Sequence, residues 1–141
     1  MKQGVILDTG PLVAVINGRD RYHKWATLQW AQINPPLLTC EMVLSEACFL
    51  LRNLDGGQKA VLELLQRQVL NMPFRLIEHV NPVAWLLEKY SNIPMSLADA
   101  CLVRMTELYP KSHVLTLDND FNIYRKNKRQ PIPILSPSGL E

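Results

Sequence analysis

Short apolar runs alternate with stretches of helical period along this chain, and that alternation restricts its fold more than any other feature. Val5–Leu7 is a run of β-formers, and a segment of helical period begins at Pro11 with almost no loop between them. Strands joined through helices need crossover connections, which place helices on both faces of a sheet. The chain is therefore predicted to be an α/β protein with a mostly parallel central sheet.

The predicted elements follow one another without a linker, an internal repeat or a low-complexity stretch. Predicted strands lie within residues 5–7, 34–39, 74–78, 113–117 and 132–135, the last of them weakened by Pro133. Predicted helices cover residues 11–16, 22–33, 41–54, 58–70, 83–90 and 96–109. Residues 1–141 are accordingly expected to form a single domain.

Composition agrees with one globular domain and limits the remaining classes. Of the 141 residues, 48% are hydrophobic and 20% are charged, which supplies a core and excludes a disordered chain. The three cysteines form no CxxC pair and lie at no metal-ligand spacing with histidine, so they are expected to be reduced core residues of a cytoplasmic protein. No signal peptide or membrane segment is predicted, and a net charge of +2 does not by itself indicate a nucleic-acid partner.

The triplet Asp8-Thr9-Gly10 is shared by two unrelated chemistries. Aspartic proteases carry it on loops that face each other in an all-β dimer, which requires many short strands and hairpins. This chain has several segments of helical period and length instead, so the protease is excluded. The triplet is better explained as an apolar strand that ends in a carboxylate directly before a helix.

Two carboxylates follow predicted strands. Asp8 comes directly after the first strand, and Asp118 comes after the strand at 113–117. The carboxyl ends of parallel strands meet at one edge of a sheet, which is where ligands bind. Each residue alone is better explained as a turn residue or a helix N-cap, whereas for the pair that explanation and a shared site are equally favoured.

A third carboxylate, Glu46, lies on a predicted helix. The residues three and four positions away are all apolar, which predicts a carboxylate within a packed face. These neighbours are Met42, Val43, Phe49 and Leu50. The alternative is that Glu46 lies at the margin of the face, where it reaches water or pairs with a base such as Arg52.

Asp99 is the fourth candidate. With Ser96 it fits a capping-box pattern, and its neighbours one turn away are apolar. Four carboxylates that face inward or toward one edge repel one another unless a divalent cation neutralises them. Oxygen ligands without His or Cys suit Mg²⁺ or Mn²⁺, and such a site suits phosphodiester cleavage.

Four motifs, taken in order, carry a family resemblance: VILDTGPLVAVI, the Glu of VLSEA, SLADACLV and VLTLDNDFNIYR. They resemble the motifs of PIN-domain proteins, especially VapC-type ribonuclease toxins and their stand-alone relatives, over nearly the whole chain. The resemblance implies a three-layer α/β/α fold and a Mg²⁺- or Mn²⁺-dependent endoribonuclease that cleaves single-stranded or structured RNA. It also implies a homodimer and, for a toxin, a small antitoxin partner.

By the same resemblance, the catalytic and metal-binding positions fall on Asp8, Glu46, Asp99 and Asp118. Asp120 is a further candidate ligand, or else it caps the turn that follows. Thr9 and Thr116 match positions that are often hydroxylated in the family, where they orient a carboxylate or water. The alternatives are an exposed turn hydroxyl for Thr9 and an ordinary β-branched strand residue for Thr116.

Two basic segments are candidates for RNA contact, although most such runs are solvated loops. Their residues are Arg19, Arg21, Lys24, Arg125, Lys126, Lys128 and Arg129. The three tryptophans lie in segments of helical period and are expected in the core or in an interface rather than under RNA bases.

Two other classes of function stay open. One is a different α/β phosphoryl-transfer protein, such as a receiver or a haloacid-dehalogenase-like phosphatase. That phosphatase normally carries a second Asp two residues after the first, where this chain has Gly10. The other is a PIN-like module that binds RNA or protein without cutting, which the presence of all four acids disfavours.

Overall fold

The computed structural model describes residues 2–138, so both ends of the predicted domain lie outside the described range. The strands are β1 (Val5–Leu7), β2 (Leu37–Leu38), β3 (Leu70–Asn71), β4 (His113–Leu115), β5 (Arg125–Lys126), β6 (Gln130–Pro131) and β7 (Ile134–Leu135). The α-helices are α1 (Thr9–Ile16), α2 (His23–Ala31), α3 (Glu41–Leu50), α4 (Gly57–Gln66), α5 (Val80–Lys89) and α6 (Leu97–Leu108). Short 3₁₀ helices cover Leu76–Glu78 and Asn119–Asn122.

Five strands form a parallel sheet in the order β3-β2-β1-β4-β7. Ile6 of β1 pairs with Leu38 on one side and with Val114 on the other. All of β1 is buried although its successive side chains point to opposite faces, so both faces of the sheet are covered. The predicted α/β fold with a mostly parallel sheet is confirmed.

The third strand lies elsewhere than predicted. Residues 74–78 form a loop and a 3₁₀ helix, with Ile77 73% exposed. The strand that pairs with β2 is Leu70–Asn71, whose first residue belongs to the segment 58–70 that periodicity predicts to be helical. The helix ends early, and Gln68 follows it with a left-handed φ of 60°. The chain that leaves this turn can then pair with β2.

The bounds of α1, α3 and α5 also differ from the predicted ones. α1 begins at Thr9 rather than Pro11 because the Asp8 carboxylate accepts a hydrogen bond from the Thr9 N–H (2.8 Å) and caps the helix. α3 ends at Leu50 instead of continuing to residue 54. α5 begins at Val80, so Pro82 lies in its first turn, where the missing N–H costs no helical hydrogen bond.

A small antiparallel hairpin was not among the predicted elements. β5 pairs with β6, with Arg125 opposite Pro131, and the connecting turn has positive φ at Asn127 and Lys128. The segment lacks the alternation of apolar and polar residues that marks a strand, so its sequence carries no periodic signal. The hairpin packs against α6.

The cysteines lie in the core of the fold or pack against it. Cys40, Cys48 and Cys101 are free, with Cys40 and Cys101 buried and Cys48 partly buried. Among residues 2–138, no helix is both long and apolar enough to cross a membrane.

Candidate metal centre

Five carboxylates line one cavity of about 390 Å³, at the edge of the sheet where β1 and β4 end. They are Asp8, Glu46, Asp99, Asp118 and Asp120. Leu50, Pro94 and Leu117 make part of the wall apolar, and no Lys, Arg or His of the described residues lines the cavity. The fold thus gathers negative charge at the edge where strand ends converge.

Asp8 is the most deeply buried of these acids, with 7% of its surface exposed. Its Oδ1 accepts a hydrogen bond from the Thr9 N–H (2.8 Å), and its Oδ2 accepts one from the Thr116 hydroxyl (2.7 Å). The pKa of Asp8 is raised from 3.8 to about 7, mainly by burial and also by the charges of Asp99 and Asp118, against the opposing effect of the two hydrogen bonds. At neutral pH this carboxylate therefore favours a proton or a cation.

Glu46 lines the cavity from α3, but it does not lie on a packed face of that helix. Its side chain is exposed, as are Phe49 (59%) and Leu50 (53%), so that expectation was wrong. The side of α3 that faces the core carries Val43, Leu44 and Ala47. Glu46 Oε2 accepts a hydrogen bond from the hydroxyl of Thr9 (3.3 Å), which is itself buried rather than an exposed turn residue.

Asp99 lies in the first turn of α6, where the positive end of the helix dipole favours a carboxylate. Ser96 caps the helix, its Oγ accepting a hydrogen bond from the Asp99 N–H (3.0 Å), as the capping-box pattern predicts. The half-buried carboxylate of Asp99 accepts a hydrogen bond at Oδ2 from the Tyr124 hydroxyl (3.0 Å). Burial raises the pKa of Asp99, and the charge of Asp118 acts in the same direction.

Asp118 and Asp120 follow β4. The Asp118 N–H donates to Thr116 Oγ1 (2.9 Å), so the hydroxyl of Thr116 links Asp8 to Asp118. Asp118 Oδ1 accepts from the Asp120 N–H (2.9 Å) and caps the 3₁₀ helix Asn119–Asn122. The capping role considered for Asp120 thus belongs to Asp118. The Asp120 carboxyl lines the cavity, where burial and the charge of Asp118 raise its pKa.

The carboxylates of the cavity are suitable ligands for a hard divalent cation, although their side chains are not gathered into a ligand cluster. No three His, Cys, Asp or Glu side chains among residues 2–138 are arranged as a group that could hold a metal. The carboxylates bind separate donors of the protein, and their like charges repel. The acids of the cavity nevertheless offer only oxygen ligands with no basic residue to compete, which suits Mg²⁺ or Mn²⁺.

Tyr124 is a residue of this site that the sequence analysis did not identify. It is fully buried, its ring packs edge-on against Tyr90 and Phe121, and its hydroxyl reaches Asp99. Burial and the adjacent carboxylates raise the pKa of Tyr124, so its hydroxyl remains a donor at neutral pH. No spacing rule links positions 99 and 124, because the contact depends on how the β5 region packs on α6.

The candidate RNA-contact residues differ in exposure. The exposed ones are Arg19, Arg21, Lys24, Lys128 and Arg129. Lys126 is 7% exposed and its Nζ donates to the Pro110 carbonyl (3.0 Å), so packing against the end of α6 removes it from the set. The guanidinium of Arg125 donates to the carbonyls of residues 122–124 and is engaged in its own loop.

Two comparisons with known proteins found a match. The family model for the PIN domain matches residues 5–127. Among solved structures, the chain resembles the crystal structure of Mycobacterium tuberculosis VapC20, a toxin that cleaves the sarcin-ricin loop, with a TM-score of 0.72 and 21% sequence identity. That match covers 90% of this chain and 99% of the VapC20 chain. A search of curated proteins gave no match.

The family match spans every strand of the sheet except β7, together with all five carboxylates of the cavity. The likeness to VapC20 agrees with it on the level of the fold. This chain belongs to the PIN domain family.

Proposed function

We propose that this protein is a Mg²⁺- or Mn²⁺-dependent endoribonuclease whose metal is held by Asp8, Glu46, Asp99 and Asp118. The observation that supports this most is the cavity itself: acids from four separate parts of the chain line it, and no basic residue of the described range does. Structural ion pairs need a basic partner, and none of the described residues supplies one in this cavity. Family membership also removes the receiver and phosphatase alternatives.

The chain's own groups position the acids for this chemistry. The Thr116 hydroxyl fixes Asp8 and the backbone of Asp118, and the Thr9 hydroxyl bonds the carboxylate of Glu46. Divalent ions at such sites lower the pKa of an attacking water and stabilise the leaving oxygen, so no side-chain nucleophile is needed. Asp120 is the further ligand that we add to this set, because its carboxyl shares the cavity.

RNA is the substrate that we infer, either single-stranded or structured. VapC20, which shares the fold, is a toxin that cleaves the sarcin-ricin loop. Exposed basic side chains outside the acidic cavity are available to bind phosphates. They are Arg19, Arg21, Lys24, Lys128 and Arg129. By the same family relationship we propose that residues 1–141 form a single PIN domain. We also propose that the protein acts as a homodimer in the cytoplasm. If it is a toxin, a small antitoxin neutralises it.

Metal dependence is the direct test of this proposal. The purified protein is expected to cleave RNA with Mg²⁺ or Mn²⁺, to stop when EDTA removes the ion, and to resume when Mn²⁺ is restored. Isothermal titration calorimetry of the folded protein should detect Mn²⁺ uptake, because the acids of the cavity have no basic partner there. Cleavage that continues in EDTA, or no heat of Mn²⁺ binding at high protein concentration, would contradict the proposal.

Tyr124→Phe is expected to slow cleavage by about ten- to a hundredfold, because a hydrogen bond to a charged group contributes roughly 1.5 to 3 kcal/mol. The Tyr124 hydroxyl lowers the pKa of Asp99, so its loss raises that pKa further. If Asp99 must be ionised to act, the acidic limb of the pH–rate profile moves to higher pH. Initial rates measured across pH test both effects.

Tyr109→Phe is the matched control, since it removes the same hydroxyl at the opposite end of α6. Its rate and its pH profile should equal those of the wild-type protein. A Tyr124→Phe variant with an unchanged profile would show that the hydroxyl does not influence Asp99.

A further inference from the structure

Trp85 forms an aromatic surface outside the acidic cavity. It lies on α5 and is 41% exposed, so it does not lie in the core, which was one of the two places expected for the tryptophans. Two ammonium groups lie over its ring system: Lys89 Nζ lies 5.0 Å from a ring centroid of Trp85, and Lys128 Nζ lies 5.4 Å from one. Both distances lie within the range of cation–π attraction. We call Trp85, Lys89 and Lys128 the Trp85 platform.

The platform is held together by contacts between α5 and the β5–β6 hairpin. Lys89 Nζ donates to the carbonyl of Lys128 (2.9 Å), which fixes the hairpin turn beside the helix. Glu107 of α6 accepts a hydrogen bond from the Asn127 N–H of the same turn (2.6 Å) and forms an ion pair with Arg104 (3.0 Å). These groups and Trp85 line a shallow cavity of about 380 Å³. Because Glu107 is already paired, it does not cancel the charge of the two lysines.

The charge of the platform is positive and uncompensated. Within residues 2–138, neither Lys89 nor Lys128 forms an ion pair with a carboxylate. An apolar protein partner that covered Trp85 would have to desolvate both ammonium groups without compensation. An unpaired RNA base offers a flat ring to Trp85, and its flanking phosphates offer negative charge to the lysines. Charge complementarity thus favours RNA as the occupant.

The platform is connected to the acidic cavity through aromatic contacts. Tyr90 follows Lys89 at the end of α5, its hydroxyl accepts a hydrogen bond from the Arg125 N–H, and its ring packs edge-on against Tyr124. Tyr124 in turn donates to Asp99. Trp85 and Tyr90 are five positions apart, a rise of about 7.5 Å along a helix. The same aromatic cluster thus contacts α5 next to the platform and Asp99 in the cavity.

We propose that an unpaired base of the RNA substrate stacks on Trp85 in place of the two ammonium groups, while Lys89 and Lys128 bind the flanking phosphates. This subsite shares no residue with the acidic cavity and holds the strand away from the bond that is cut. The inference rests on the proposed function for the identity of the substrate. Because stacking needs a free base, it assigns the protein a preference for single-stranded RNA or loops over duplex.

The test measures affinity in EDTA, where a metal-dependent enzyme does not cleave. Fluorescence anisotropy of a labelled oligouridine should give a Kd about tenfold higher for Trp85→Ala than for wild type, and Trp85→Phe should restore most of the affinity because it keeps an aromatic face. Lys128→Ala should weaken binding. It should also lower the magnitude of the slope of log K against log salt concentration by about one, which corresponds to the loss of one phosphate contact. Lys59→Ala, which removes an 80% exposed lysine on α4, is the matched control and should leave Kd unchanged.

Two results would overturn the inference. One is wild-type affinity for oligouridine in a Trp85→Ala variant whose circular dichroism shows a folded chain, and the other is no measurable binding by the wild-type protein. If Trp85→Ala instead dissociates a dimer in sedimentation while Kd stays unchanged, the platform is a protein interface. Cleavage with Mn²⁺ that coexists with a Trp85-independent Kd would refute this subsite alone. Trp85-dependent binding without any cleavage would refute the nuclease and retain the subsite.

Discussion

Asp8→Asn is expected to lower the rate of RNA cleavage by about 10³-fold or more. Asn keeps the shape of the side chain and the oxygen that accepts from the Thr9 N–H, but it removes the charge of the most buried acid in the cavity. A catalytic metal contributes several kcal/mol to transition-state stabilisation, and each 1.36 kcal/mol is a factor of ten in rate. Initial rates at saturating Mn²⁺, with circular dichroism to verify folding, measure the loss.

Asp55→Asn provides the matched control for this loss. Asp55 is an exposed carboxylate in the loop between α3 and α4, so the same chemical change occurs there without touching the acidic cavity. Its rate should equal the wild-type rate. Cleavage at the wild-type rate by folded Asp8→Asn protein would place the active site elsewhere.

The same substitution is expected to stabilise the metal-free protein at high pH. The pKa of Asp8 is about 7 in the folded protein against an ordinary value of 3.8, so between these values the folded state binds more protons than the unfolded state. The free energy of unfolding of the wild type therefore falls as pH rises through this window, whereas Asn does not titrate. A shift of about three units corresponds to roughly 4 kcal/mol, and we expect about 2 to 4 kcal/mol.

Urea unfolding in EDTA from about pH 4 to about pH 8 tests this effect. The stability of Asp8→Asn relative to wild type should increase across the window, with most of the increase complete slightly above neutral pH. Adding Mn²⁺ at the upper pH should stabilise the wild type more than the variant, because an ion that binds only the folded state raises its stability. Parallel stability curves for the two proteins would mean that burial of Asp8 does not oppose its ionisation.

The general architecture was predictable because it depends on patterns that are local in sequence. The run Val5–Leu7 is continuously apolar because both faces of its strand are covered, and Ser96 with Asp99 is a capping pattern within one helical turn. Short elements were not predictable in the same way. Periodicity extends the helix 58–70 through Leu70, but Gln68 adopts a left-handed conformation and Leu70 pairs with β2. A pattern of apolar residues does not distinguish a helix end from a two-residue strand.

The structure brings the predicted acids to one cavity, but part of the reasoning that selected them was wrong. Glu46 was expected to be buried because its neighbours are apolar, yet Phe49 and Leu50 are exposed and the core side of α3 is the other one. Lys126 belongs to a basic run in sequence, but packing buries it against the end of α6. Which face of a helix is buried, and whether a lysine is buried, depend on contacts with residues far away in the sequence.

The sequence by itself determined the α/β class, the family, and which acids follow strands or begin helices, because these depend on hydrophobic period, capping chemistry and motif order. Tertiary structure alone decided which side chains hold those acids. The Thr116 hydroxyl meets Asp8 across more than a hundred residues, and Tyr124 meets Asp99 across twenty-five. It also brought Lys128 of the β5–β6 hairpin to the ring of Trp85. Contacts of this range form only when parallel strands align their ends and the hairpin packs on α6, and no local pattern encodes them.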